Sequence, residues 1–382
     1  MIHIRGCSTP SHISVRRGSD ISTRIVLTAA GDIVVRHRLF EQDRLLHPPY
    51  QKTIDFMASG DLAWGSCEVQ FSERGFRTDS LVAYLVEPEV ALDLGRAGFD
   101  VMTVATNHTW DFGPDAFLDT LENLRRGGIT SVGGGSDLDQ ALSPVVFERN
   151  GMKLGIVAVS CLLPPYYAAT AERPGIAPLR VHQSHRFDPL RMMIEPSAPL
   201  SISSSIDNDD WRALTDQIEA LESQVDFVLV SVHWGYGRGE PLADYQQPLG
   251  RALIDAGAHM VLGNHTHSPS GIELHEGRPI IYGLGNHIAQ QDRTGANEVQ
   301  KAVFADIDEW SSLARFTLAP GRVERIEVIP TWCDESGLPI PITDAKEAGA
   351  VLGRIARLSG ELGTRLEVDG LAGEVVLAQE KG

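Results

Sequence analysis

Positive charge is what this chain has least of relative to its opposite: 33 Lys and Arg stand against 51 Asp and Glu, a formal net charge of −18. A surface that acidic repels a phosphate backbone and an anionic bilayer alike, so neither nucleic acid nor membrane is expected as a partner. A cation, or a substrate with a basic portion, suits it better. Cysteine is sparse too. Cys7, Cys67, Cys161 and Cys333 show no C-x-x-C and no zinc-ribbon spacing, which reads as free thiols from a reducing compartment. Long apolar runs are missing: nothing approaches the roughly 20 residues of a spanning helix. Residues 1–22 are polar and lack the apolar segment of a secretory signal, so a cytoplasmic location is expected. Gly133-Gly134-Gly135 lacks both the Lys-Ser/Thr of a P-loop and the full dinucleotide fingerprint, which makes it a tight turn rather than a phosphate cradle.

What is present is a set of short, β-branched apolar runs that stop abruptly at polar residues. Val101 to Ala105 is the length of a buried strand and ends in Asn107-His108, with Asp111 three residues on and Gly113-Pro114 closing the turn. Arg24 to Ala30 ends at Gly31-Asp32, where Asp32 suits either a metal ligand or a helix N-cap. Gly60-Asp61 opens a short apolar segment and Cys67-Glu68 closes it. Phe227 to Val232 stops at His233, Met260 to Leu262 at Asn264-His265-Thr266-His267, and Pro279 to Leu284 at Asn286-His287. Helical periodicity over 89–98, 116–127, 211–224 and 246–257 alternates with these runs, which argues an α/β fold. In such folds ligands gather at the carboxyl ends of the strands. One His at a strand end is ordinarily a satisfied polar residue. Several His and Asp groups on successive strand ends are costly to bring together unless they bind metal or move protons.

The order and spacing of these motifs resemble the CapA-like (poly-γ-glutamate capsule protein-like) branch of the calcineurin-like metallophosphatase superfamily. The landmarks are GD at Gly31-Asp32, a GD-then-Glu segment from Gly60 to Glu68, and NH-x2-D from Asn107 to Asp111. HWG at His233 to Gly235, G-x-H-x-H ending at His267, and GLGN from Gly283 to Asn286 complete them. The resemblance implies a calcineurin-like α/β/β/α sandwich. It further implies a metal site drawn from Asp32, Asp61 or Glu68, Asn107, His233 and His267; the polar residues at the strand ends, His108, Asp111, Asp32, His265 and His287, are the candidates for acid–base work. The chain departs from the family at several points. Val34 stands where the superfamily's D-x-H has its His, Cys67-Glu68-Val69 replaces Asn-Leu-Glu, and Asn264 replaces a His. His287 replaces the usual Phe, and the Glu expected after HWG is delayed to Glu240. The first metal position is thereby short of nitrogen ligands. This points to a single, more oxygen-coordinated divalent ion, with Ca, Mg or Mn favoured over Zn.

Three functions are open to such a site. A metal-activated water can hydrolyse a phosphoester or a γ-glutamyl or peptide amide. Alternatively, His and Asp groups can exchange a proton at carbon, epimerising a residue of a peptide substrate. A peptide epimerase of lasso-peptide biosynthesis belongs to the CapA-like group, and this chain looks similar to it; epimerisation of a ribosomal, lasso-type precursor is therefore the first expectation and hydrolysis the alternative. A non-catalytic scaffold is disfavoured by the intact NH, HWG and H-x-H. Cys67, beside Glu68, has no paired base and is expected to pack rather than to attack. For organisation, residues 1–23 read as a lead-in and 24–335 as the catalytic domain. Within that domain 164–210 reads as an insertion or lid, and 336–382 reads as a C-terminal helical extension packed on the same domain.

Overall fold

The computed structural model describes residues 23–186, 188–195, 201–291, 296–305 and 308–377, so the lead-in and Cys7 lie outside the described residues. Two sheets are stacked face to face with helices outside them, the expected α/β/β/α sandwich. The first sheet has ten strands and is organised around the long strand Ile25–Val34, flanked by Leu62–Cys67, Val101–Thr103 and Thr130–Val132 in parallel on one side. On its other side the early part of Ile25–Val34 pairs antiparallel with Trp310–Ala319, and its last residues pair parallel with Asn286–Ala289. The second sheet has six strands, with Met152–Ser160, Phe227–His233, Met260–Asn264 and Arg278–Ile281 parallel at its centre.

Side-chain alternation explains the layering. In the second sheet Leu154, Ile156, Ala158, Phe227, Leu229, Met260 and Leu262 join the cluster that also holds the first sheet's Leu27, Ala29 and Trp64. Their neighbours Val157, Val159, Val228, Val230 and Val261 turn the other way, onto Leu214, Ile218, Leu249 and Leu253 of the helices Asn208–Glu222 and Gln246–Asp255. Strands buried on both faces are what covered parallel sheets require, and they read as continuous apolar runs.

Two regions differ from the sequence expectation. Within 164–210 a hairpin forms from Val181–Arg186 and Ser201–Ile206, although the Ser-rich stretch shows no strong period. The C-terminal extension is not only helical. After the helix Ala345–Glu361 the strands Leu366–Asp369 and Ala372–Val375 join the edge of the first sheet. That helix is no mere surface element, since Val351, Leu352 and Ile355 belong to the central core. Among the described residues no helix is long and apolar enough to cross a membrane.

Candidate active site

The parallel strands of both sheets end at one rim, and that rim collects the polar residues. Ile25–Val34 delivers Asp32, Leu62–Cys67 delivers Glu68, and Val101–Thr103 leads to Asn107 and His108. From the second sheet Phe227–His233 ends in His233, and Met260–Asn264 leads to His265 and His267. Asp32 owes its position to a close approach of two backbones. Its N–H donates to Gly285 O at 3.0 Å, and a Cβ on Gly31 would sit 1.7 Å from that same carbonyl oxygen. Only glycine fits there. His265 and His267 both hold left-handed backbone, at φ 83° and 48°, a strained arrangement that persists where surrounding contacts over-determine it.

Glu68 is the hub. Its side chain is 1% exposed, and neither carboxylate oxygen receives a hydrogen bond. Imidazole nitrogens surround it instead: His233 Nε2 lies 3.2 Å from Oε1 and His267 Nε2 3.7 Å from Oε2. Burial, reinforced by the nearby Asp32 charge, pushes the Glu68 carboxyl up to about 7. Two groups of ligand-type side chains converge on it, Glu68–His233–His265 and Asp32–Glu68–His267. Asn107 Oδ1 adds an oxygen 2.7 Å from His233 Nε2. A buried carboxylate without a donor costs several kcal/mol unless a cation meets it. The Nδ1 atoms of His233 and His265 also lack partners, and burial holds both rings well below the usual imidazole range, hence neutral and ready to ligate. The donor set therefore fits a divalent cation. The two groups differ in nitrogen: the one that includes Asp32 offers a single imidazole, His267, whereas the other offers two, His233 and His265.

Two His–carboxylate pairs stand beside this cradle. His108 Nδ1 donates to Asp111 Oδ2 at 2.8 Å, which leaves Nε2 for the cavity that His108 lines. Burial opposes charging of His108, but Asp111 and Glu68 outweigh it and raise its pKa. His267 Nδ1 lies 3.3 Å from Asp32 Oδ2 and 2.9 Å from Asn286 Oδ1. Against its burial, Glu68 and Asp32 push His267 up to about 9. The cavity has a volume of about 280 Å³, lined by Glu68, His108, Arg238, His267 and Gln291 on its polar side and by Val34, Val82, Tyr84 and Phe304 on its more apolar side. Val34, the residue in place of the superfamily's His, is one of its walls.

Two expected residues are elsewhere. Asp61 begins its strand, at the end opposite Glu68; its carboxylate accepts from Val26 N at 2.7 Å and ties two strands together. His287 follows Asn286 on the same strand, so its side chain points to the other face, where Tyr50 Oη is 3.1 Å from Nε2 and Phe99 packs edge-on. It fills the apolar slot of the Phe it replaces. Asp111 does not cap the following helix, whose N-cap is Phe112 without a side-chain bond. Tyr167 is a residue that sequence reading missed. From the inserted segment its hydroxyl donates to Asp111 Oδ1 at 2.6 Å, and the Pro- and Ser-rich surroundings give no pattern that marks it.

Such a rim of carboxylates and imidazoles, on a two-sheet sandwich, defines a metal-dependent protein of the CapA-like kind. The chain belongs to the family described as bacterial capsule synthesis protein PGA_cap, which it matches over residues 26–291. It is 32% identical over 221 residues to a probable polyglutamine synthesis accessory protein of Mycobacterium tuberculosis, covering 57% of this chain and 52% of that one. The chain thus spans about half the length of that relative. It is 26% identical over 296 residues to the PGA biosynthesis protein CapA of Bacillus subtilis (77% of this chain, 67% of that one). It is 21% identical over 340 residues to the capsule biosynthesis protein CapA of Bacillus anthracis (87% and 73%).

Proposed function

We propose that this chain is a metal-dependent acid–base enzyme acting on a peptide-type substrate, and that its reaction is epimerisation at Cα of a residue in a ribosomal peptide precursor. The observation that carries this reading is the presence of two His–carboxylate pairs, His108–Asp111 and His267–Asp32, beside the ligand group of Glu68, His233 and His265. Inverting a carbon centre needs one group to remove the proton and another to return it. In the proposed cycle His108 takes the Cα proton on Nε2 while Asp111 holds the Nδ1 proton and fixes the tautomer. His267, whose protonated form is favoured by Glu68 and Asp32, returns a proton, and exchange with solvent resets both imidazoles. Glu68, His233, His265 and Asn107 would hold a divalent ion, whose positive charge would stabilise a developing enolate oxygen. Two imidazoles among the donors point to Mn rather than Ca or Mg.

Metal-dependent hydrolysis of a phosphoester or a γ-glutamyl or peptide amide is the second reading, and one feature favours it: Glu68 is shared by both ligand groups. If Asp32–Glu68–His267 also takes an ion, His267 is a ligand and no longer an acid, and a two-ion site suits displacement by water. Metal stoichiometry and isotope exchange separate the two. Epimerisation predicts one ion per chain and deuterium at Cα of an intact peptide in D2O. Two ions per chain with a new terminus or free phosphate would replace it with hydrolysis.

A further inference from the structure

The cavity beside the ligand groups, about 280 Å³, stands at the small end of ligand pockets, which run about 300–1,000 Å³. A second and larger cavity, about 1100 Å³, adjoins it, and Gln291 lines both. The two are joined through the same strands. Ile25–Val34 and Asn286–Ala289 pair in parallel, bring Asp32 and Asn286 to the cradle, and run on into Arg36–Leu39 and Gln290–Gln291, which form one wall of the larger cleft. Arg36 spans the junction, its guanidinium 5.5 Å from the centre of the Tyr84 ring in the smaller cavity.

This cleft is firmly built. Gln290 Oε1 accepts from Arg36 N at 2.8 Å and His37 N at 3.1 Å, and Gln290 N donates to Val34 O at 2.9 Å. The buried Asp93 carboxylate accepts from Arg38 Nε at 2.7 Å and from Leu39 N at 2.9 Å. Across the cleft Ala289 N donates to Gly337 O at 2.8 Å. Two apolar side chains remain open within these fixed walls, Leu46 at 41% exposure and Trp332 at 39%. Trp332 stands directly opposite Trp310 across its strand pair, which extends the shelf. Half-open Trp and Leu beside polar walls are the composition of a binding anchor.

We propose that this cleft holds the residues of a peptide that flank the one being processed, and that the peptide is neutral or basic rather than polyanionic. The charge of the lining decides the second point. Asp308, Glu309, Asp334 and Glu335 outnumber the lining's Arg36 and Arg38, and several are paired: Arg38 with Asp93, Asp308 with Arg354, and Asp334 with His47. A uniformly anionic chain such as γ-linked oligoglutamate meets a lining with more acidic than arginine side chains, on a molecule of net charge −18. A mixed or basic peptide meets complementary charge and has Trp332 and Leu46 for its apolar side chains. The assignment of a peptide rests on the function proposed above.

Fluorescence anisotropy on the metal-loaded full chain tests it, with labelled synthetic peptides of about ten residues, basic, neutral, or γ-linked oligoglutamate. Basic and neutral peptides should bind and oligoglutamate should not. Trp332→Ala and the uncharged surface change Leu46→Ser should each weaken binding about tenfold, equivalent to about 1.4 kcal/mol, with metal content and melting temperature unchanged. Oligoglutamate binding as well as the others, no peptide binding, or indifference to both substitutions would each overturn the proposal. The readout needs no turnover. Peptides that bind here yet show no deuterium uptake reject only the epimerisation reading.

Discussion

Both oxygens of the Asp111 carboxylate are committed, one to His108 and one to Tyr167, and this gives single substitutions distinct signatures. His108→Ala and Asp111→Asn should each lower turnover by about 10²–10⁴ with the fold kept, because a positioned acid–base group typically contributes that much. Tyr167→Phe removes one donor from Asp111 and should cost about tenfold. Made in a His108→Ala background it should cost nothing further, because its effect passes through that imidazole. Additive losses in that double-mutant cycle would make Tyr167 a packing residue only. Cys67 sits next to the hub, but burial pushes its thiol up to about 12, and its Sγ faces Val69 O at 3.4 Å. Cys67→Ser should therefore leave most of the activity, measured as turnover at matched metal content. His287 bears on stability instead. Burial pushes its imidazole from 6.5 down to about 3, so the folded chain keeps it neutral while the unfolded chain protonates near 6.5. Stability from this residue is full above pH 6.5 and drains away as pH falls toward 3. His287→Phe should flatten that acid limb in melting curves taken across pH, with turnover unaltered.

Strand direction and strand alternation decide which polar residues reach the rim, and they also mark what the sequence can disclose. Short β-branched runs ending at Asp32, His108, His233 and His265 were legible because a buried strand leaves a clear apolar signature and an abrupt stop. Asp61 and Glu68 bracket one such run, and sequence alone cannot tell which end faces the site until the parallel pairing sets the direction. Asn286 and His287 pose the same difficulty on a finer step, since adjacent residues of a strand face opposite ways. Tyr167 was illegible for another reason: the inserted segment has no periodic pattern, and its contact with Asp111 spans 56 positions of sequence. The terminal strands Leu366–Asp369 and Ala372–Val375 were missed because each is only four residues long and the first is mostly exposed. They and the helix before them close the molecule's edges. Ser359 Oγ accepts from Ile272 N, and Thr364 Oγ1 accepts from Leu274 N, both at 2.9 Å, on the edge strand Ile272–His275. Ser359→Ala leaves a buried N–H without an acceptor and should destabilise the fold by about 1–3 kcal/mol. Denaturant midpoints would read this, with the site's metal affinity as the control that should not move.

At the scale of the whole molecule, the ligand groups do not come from one sheet. Asp32 and Glu68 follow strands of the first, whereas His233, His265 and His267 follow strands of the second. Exhaustive chelation should abolish activity and a divalent ion should restore it; full turnover in a verified metal-free preparation would end the metal-dependent reading. The same arrangement reaches beyond catalysis. An ion that draws ligands from two separate layers is a fastener between them, and only the assembled sandwich can hold it. Thermodynamic linkage then makes the stability of the fold a function of free cation, worth about 2.7 kcal/mol at a hundred times the dissociation constant. Melting temperature should climb with the logarithm of added ion, and a Glu68→Gln chain should not respond. A cell short of that metal would hold less folded protein as well as less active protein, so supply of the ion would govern how much of this protein survives.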